Sequence, residues 1–448
     1  MSIKSYFLAV VASFAGAGAA AAADLPEMKS QAVEYVKVCS QFGPGFFYLP
    51  GSNTCLQIAG TMRALYGFNS IPGGSYSTTP GFVPGRGGGR RDVDSTAFQG
   101  RFQLDFDART QTDYGVLRSY FSIDANFGHP GPQTRPFGSY SGSNYVVEKA
   151  YVEFGGLTAG YAESRFAFYD NYYADTIFAP YAGSGQDGTT GVLAYTAQFG
   201  NSGWSATLSL EDPAHARQGI LNDNPVGVAD VAYGGNRYPD IIGDIAYSSG
   251  KFDKIQIMAA AHQLWLVGGN PNSSDRSKWG YAVGAGASWE IPVLAGGYFA
   301  IEGAYSSGAS IYTGAAMNLN ATAGSPPNYD GFSVDGRVEN AKAVSVEGEL
   351  AINFTPNLRG MIFGSYAHFD APTAVEVDGV GSGFDAYVVG ANMKWTVVEG
   401  FDVIPEVSYQ ATHAKVAGFN EIGGEGLYNN SKADTGAVMG GVEFRRSF

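Results

Sequence analysis

Most of the chain consists of stretches of about ten residues in which apolar and polar side chains alternate, the length a tilted strand needs to cross a bilayer. Phe98, Phe102, Leu104, Phe106 and Ala108 alternate with Gln99, Arg101, Gln103, Asp105, Asp107 and Arg109. Leu56, Ile58, Met62, Ala64 and Tyr66 alternate in the same way with Gln57, Thr61 and Arg63. A period of two means an extended strand with one apolar and one polar face. Soluble strands average about five or six residues, so these are long. Beyond the N-terminus no run of about 20 apolar residues exists, which excludes membrane helices. Charged residues are only 15%, whereas aromatics are 14% and glycines number 63. So aromatic a chain has ample apolar surface to bury and is not disordered. The remaining classes are a transmembrane barrel and a secreted β-protein.

Punctuation separates the two. Tight turns at 111–114, 155–156, 200–203, 248–254, 292–297, 355–357 and 398–402 join strands in pairs, and longer Gly-, Pro- and Ser-rich connections lie between pairs. This rhythm predicts an all-β fold, a transmembrane antiparallel barrel of about 16 strands. An even count places both ends on the short-turn side. The 278–291 segment checks the length: Trp279, Tyr281, Val283, Ala285, Ala287 and Trp289 share one parity, and Gly280, Ala282, Gly284, Gly286 and Ser288 the other. Ten such residues, tilted about 40°, rise roughly 25 Å, the height of a lipid-facing band bordered by aromatics. Pro405 and Arg446 cut against the pattern: the first removes a ladder hydrogen bond, and the second shares the parity of Phe444 and Phe448.

Lys4, the apolar run from Tyr6 to Ala15 and the small residues Ala21, Ala22 and Ala23 before Asp24 read as a secretory signal peptide over residues 1–23. The formal charge of −14 becomes more negative without Lys4, which argues against nucleic acid as a partner. Cys39 and Cys55 enclose a Gly- and aromatic-rich stretch. In an oxidising compartment an even pair reads as a disulfide, with two buried free thiols as the alternative. The organisation expected is a signal peptide over 1–23, a periplasmic segment over 24–55 and the barrel over 56–448.

The segments Glu34-Tyr35-Val36-Lys37-Val38-Cys39, Tyr48-Leu49-Pro50-Gly51 and Thr54-Cys55-Leu56 resemble the N-terminus of the alphaproteobacterial general porins. The last strand, Gly441 to Phe448, is similar to the terminal signal, ending in Phe448, by which barrels are recognised for outer-membrane insertion. The resemblance covers the two ends; the strand rhythm carries the middle. It implies a homotrimer of sixteen-stranded barrels in the bacterial outer membrane, both termini periplasmic, in contact with membrane lipid and lipopolysaccharide. It also implies handling of the C-terminal strand by barrel-assembly machinery and a water-filled passive channel for small hydrophilic solutes and ions.

By parity, Arg63, Arg101, Arg109, Arg118 and Lys149 point to the polar face from four consecutive strands, so they form a basic wall. Arg63, Arg101 and Lys149 are expected near mid-height, and Arg109 and Arg118 near the short-turn mouth. The resemblance implies that the connection after the fifth strand, about 163–190, folds inward and sets Glu163, Asp170, Asp175 and Asp187 against that wall. An outward loop with solvated acids is the alternative. Such a ring of opposed charges would act on solutes by its field, with no catalytic group and no cofactor. The histidines lack metal-ligand spacing, and no nucleophile elbow is present, so neither a metal site nor an enzyme is expected. Two other readings stay open: a substrate-selective channel whose aromatics over 166–181 stack on sugars, and a plugged, adhesive barrel.

Overall fold

The computed structural model describes residues 37–69, 96–129, 144–168, 175–177, 188–222, 233–235, 237–249, 254–266, 276–291, 296–314, 329–334, 337–370, 383–416 and 431–448. The expected signal peptide lies outside the described residues. The short strand β1 (Phe47–Tyr48) precedes β2 (Thr54–Asn69), β3 (Thr96–Thr112), β4 (Gly115–His129), β5 (Asn144–Phe154), β6 (Leu157–Glu163), β7 (Thr189–Gln198) and β8 (Trp204–Glu211). Next come β9 (Ile220–Asn222), β10 (Asp240–Ser248), β11 (Lys254–Trp265), β12 (Ser277–Ile291), β13 (Gly297–Ser307), β14 (Gly331–Val334) and β15 (Arg337–Asn340). The chain ends with β16 (Lys342–Thr355), β17 (Leu358–Asp370), β18 (Phe384–Val398), β19 (Phe401–Val416) and β20 (Ser431–Ser447).

Sixteen of these strands close an antiparallel barrel in which each pairs with its neighbours in sequence; β1 adds to its edge, and β9, β14 and β15 form a separate three-stranded sheet in the long connections. The alternating segments read at 56–66, 98–109 and 278–291 are β2, β3 and β12, their ends displaced by at most three residues. Parity decides which side each residue takes. On β12, Trp279, Tyr281, Val283 and Trp289 are exposed outward. Ile257 (64%), Ile362 (58%) and Leu208 (61%) stand out from other strands. So much exposed apolar surface over a whole barrel is a surface for hydrocarbon rather than water. Among the described residues no helix is long and apolar enough to cross a membrane.

Closure occurs where β20 meets β2, from Asn69↔Met439 to Thr61↔Ser447. Beyond it Gly60 and Phe448 exchange backbone hydrogen bonds of 3.1 and 3.0 Å. Gly60 is needed there, since a Cβ would lie 2.4 Å from the Phe448 ring. The two awkward residues fit. Pro405 pairs with Val442 of β20, and the ladder to β18 skips the positions between Asn392↔Glu406 and Trp395↔Val403, where its missing N–H faces. The Arg446 guanidinium donates to the Glu399 carbonyl (3.1 Å) at the adjoining turn, at the barrel's border.

β2 runs further toward the short-turn mouth than β20 does, which leaves peptide groups of residues 54–59 without a ladder partner on that edge. The chain covers this edge with its own N-terminal segment. Phe47 and Tyr48 pair with Leu56 and Cys55, and the Leu49 N–H donates to the Thr54 carbonyl at 2.9 Å. The Cys39–Cys55 disulfide, with Cα atoms 6.0 Å apart, pins the segment there, and Phe46 packs beside it. Arg109 lies over the Phe46 ring (5.0 Å), which adds a cation–π contact. Closing this loop in the unfolded chain accounts for about 3 kcal/mol of stability. Cys39→Ser should therefore lower the detergent unfolding midpoint measured by circular dichroism, with the barrel still formed. A reductant should lower the wild-type midpoint to the same value.

Candidate pore constriction

The burial of inward side chains locates the water. On β3 to β5 the inward residues Arg101, Gln103, Asp105, Arg118, Tyr120 and Glu153 are half-exposed. On β10 to β13 the inward residues Ile242, Met258, Ala260, Ala282 and Ala300 are covered. What covers them comes from inside the barrel. The segment after β6 lays Phe166 and Phe168 against this wall, with Tyr312 of the turn Ser310–Thr313 beside Phe166 (ring centres 4.9 Å apart). Hydrophobic packing thus fills one side of the lumen, and the aqueous path runs along the charged side.

The small inward residues of β12 explain how the loop fits. A Cβ on Gly286 would come within 2.3 Å of the Phe168 ring, so a bare backbone here lets the ring lie flat against the wall. Polar contacts fix the same segment: Arg165 N–H donates to Glu211 Oε1 (2.8 Å), and Lys254 Nζ donates to the Phe168 carbonyl (3.1 Å). By residue 175 the chain has reached the other side of the lumen. Ile177 N–H donates to Glu406 Oε2 (2.8 Å), and Asn392 donates to the Asp175 carbonyl (2.9 Å). The connection after the fifth wall strand therefore folds inward.

Asp175 meets three cations there. Its carboxylate lies 3.0 Å from Lys394 Nζ, 3.1 Å from Arg445 Nη1 and 3.5 Å from Arg359 Nη1. Burial pushes its carboxyl up, but Lys394, Arg445 and Arg359 outweigh that and hold it below the ordinary aspartate value. These cations come from β17, β18 and β20, none of which supplied the basic wall expected from the sequence.

That expected wall exists as a row of positions, with a different electrostatic character. Arg63 sits between Arg101 of β3 and Arg445 of β20 as direct cross-strand partners, so three arginines line up. The flanking cations are paired within the wall itself. Arg101 bonds Asp124 and lies 3.5 Å from Glu148; Arg118 pairs with Asp107 and Glu153, both at 2.9 Å. Arg109, the cross-strand partner of Arg118 at the tight turn, pairs with Asp107 at 2.7 Å. Glu163, expected on the loop, is instead the last residue of β6 and pairs with Lys149 at 2.7 Å. Asp170 and Asp187 lie outside the described residues. The acids Asp107, Asp124, Glu148 and Glu153 are visible in the sequence, but their pairing depends on register. A bulge in β5 opposite Ser122 and Ile123 sets that register for Glu148 and Lys149. The aromatic stretch read as a sugar track begins with Phe166 and Phe168, both at 0% exposure, so those two rings offer no face to a solute.

A closed barrel with a hydrocarbon-facing exterior, a charged water path and an inward loop defines a channel-forming protein of the bacterial outer membrane. Residues 25–440 match the family described as Porin subfamily, and the chain belongs to it. Porin Omp2b of Brucella canis is 28% identical over 456 residues, and that of Brucella neotomae 29% over 459, each covering all of both chains. Among solved structures, the outer membrane channel DcaP of Acinetobacter baumannii has a TM-score of 0.59 at 13% identity, over 90% of this chain and 99% of that one, a likeness of fold.

Gly286→Val tests how the loop is seated. The added side chain overpacks the wall by about 1–3 kcal/mol and pushes Phe168 toward the aqueous path. Single-channel conductance should fall below that of the wild type, with the barrel still inserted.

Proposed function

We propose that the protein is a passive diffusion channel whose narrowest ring is the contact between Asp175 and the cations Arg359, Lys394 and Arg445, continued around the wall by Arg63 and Arg101. The placement of Asp175 among three cations carries this reading. There the loop carboxylate is in direct contact with the wall cations, and water is confined between the apolar packing and this charged cluster. Fields are strong in such a cleft because little solvent screens them. A polar solute would be turned to align its dipole as it passes, and no bond in it is made or broken. Arg109 and Arg118 belong to the approach on the short-turn side, and the Lys149–Glu163 pair lies further along the wall, at the end of β6 away from its tight turn; these paired charges keep the wall wet without a large net field.

Barrels of this kind are proposed to associate as a homotrimer with both termini in the periplasm. The resemblance to general porins and the even strand count support this. The outward apolar band fits contact with membrane lipid and lipopolysaccharide, and the terminal Phe448 fits handling by barrel-assembly machinery. The family's character and the hydrated charged wall support small hydrophilic solutes and ions as cargo.

Two variants test the ring. Asp175→Asn removes the loop carboxylate that three cations share and leaves the wall acids Glu443, 2.7 Å from Arg445, and Asp402, 3.8 Å from Lys394, so the reversal potential in a salt gradient should move toward the anion limit. Arg63→Ala should move it the opposite way; no shift in either variant would remove these residues from the constriction. The wild-type carboxylate is held below the ordinary value, so its charge is lost only as pH falls through that depressed pKa. The difference between wild type and Asp175→Asn should therefore persist as pH is lowered through about 4, the usual aspartate range.

A further inference from the structure

Behind the packed side of the lumen lies a polar cluster that the constriction does not use. His262, Asp240 and Asp330 are each at 0% exposure. His262 Nδ1 lies 2.8 and 2.9 Å from the two oxygens of Asp240. Its Nε2 lies 2.6 Å from the Tyr233 hydroxyl and 3.8 Å from Asp330 Oδ2. Asp330 in turn accepts from the Gln218 N–H (2.8 Å), the Ser310 N–H (2.8 Å) and the Ser310 hydroxyl (3.0 Å). One imidazole thus joins the barrel ends of β10 and β11 to two long connections, the ones that carry β9 and β14.

Hydrogen-bond accounting separates two proton states of the ring. Tyr233 has a single hydroxyl hydrogen, and the Gln263 carbonyl is its acceptor at 3.0 Å. A hydrogen on Nε2 would be donated to the phenol oxygen and leave the hydroxyl hydrogen to Gln263, whereas a bare Nε2, 2.6 Å away, would compete with Gln263 for that one hydrogen. Nδ1 faces a carboxylate, which accepts only. With both ring nitrogens protonated each of these groups has its own partner, and the imidazolium would be balanced by Asp240 and Asp330. Among the described residues, the other charged and titratable groups around the cluster are Arg217, whose guanidinium lies 5.0 Å from the Tyr233 ring centre, Tyr312, and Glu211 near Tyr312.

Tyr312 connects this cluster to the channel. Its hydroxyl donates to Asp240 Oδ2 at 2.7 Å, and its ring packs on Phe166 of the constriction loop. We propose that His262, as an imidazolium between Asp240 and Asp330, is a proton-sensitive latch that holds the constriction loop through Tyr312 and makes conductance depend on pH. Loss of one ring proton at higher pH leaves the single Tyr233 hydrogen to serve both Nε2 and the Gln263 carbonyl. It also leaves two buried carboxylates without the cation between them. Asp240 then shifts, and Tyr312 and Phe166 move with it.

This inference rests on the constriction reading, and the two fail separately: the Asp175→Asn comparison is made at one pH, whereas the latch is read from a pH profile. The test is single-channel recording of the full barrel in planar bilayers from about pH 5 to 9, the span in which histidine titrates. Wild-type conductance should hold steady on the acid side and change as pH rises. His262→Gln, which cannot be protonated, should give a flat profile near the wild-type alkaline level. Tyr312→Phe keeps the ring on Phe166 but loses the bond to Asp240, so it should blunt the pH step. His368→Gln, at the exposed His368–Asp385 pair on another wall, should keep the wild-type profile. A flat wild-type profile, or an unchanged step in His262→Gln, overturns the proposal. If His262→Gln does not insert, an unchanged step in Tyr312→Phe overturns it alone.

Discussion

Hydrocarbon offers no partner to a peptide N–H or C=O, and each unpaired group there costs several kcal/mol. A sheet of strands exposed to lipid must therefore have no free edge, and everything else in this molecule follows from how that requirement is met. β20 returns to β2, Phe448 bonds Gly60, and the remaining length of β2 is covered by the disulfide-pinned strand β1. The same requirement explains how Pro405 is accommodated: it sits where the ladder to β18 is already interrupted.

Closing the wall leaves a cylinder whose inner face is polar by alternation, and the interior is then divided unevenly. Glycines and alanines on the inner faces of β12 and β13 make room for Phe166, Phe168 and Tyr312, so a hydrophobic core forms inside the barrel on that side. Water is left with the other side, where arginines and carboxylates are half-exposed. A lumen packed asymmetrically in this way places the loop carboxylate of Asp175 against the C-terminal wall, and it puts the apolar packing between the aqueous path and the His262 cluster. The inward loop and the buried cluster are thus joined by the same few aromatic rings.

The acids that pair with the basic wall show where sequence reading stops. Asp107 shares a strand and a face with Arg109, two residues away, so that pair was legible. Arg118 reaches the same carboxylate only because β3 and β4 align Arg109 with Arg118. Lys149 reaches Glu163 because β6 extends one residue past its expected end. Asp175 and Arg445 are 270 residues apart, and neither strand parity nor turn spacing relates them.

The sequence by itself determined the alternation, the crossing length, the pairing of strands through tight turns and the sidedness of nearly every residue, because each of these depends on neighbours within one strand or one turn. It marked Cys39 and Cys55 as partners and the small inward face of β12 as a feature of that strand. Only the tertiary structure decided which cation meets which carboxylate, which wall the loop rests on and where water remains. Those outcomes depend on cross-strand register and on the path of a loop across the lumen, which bring together groups that the linear order keeps far apart.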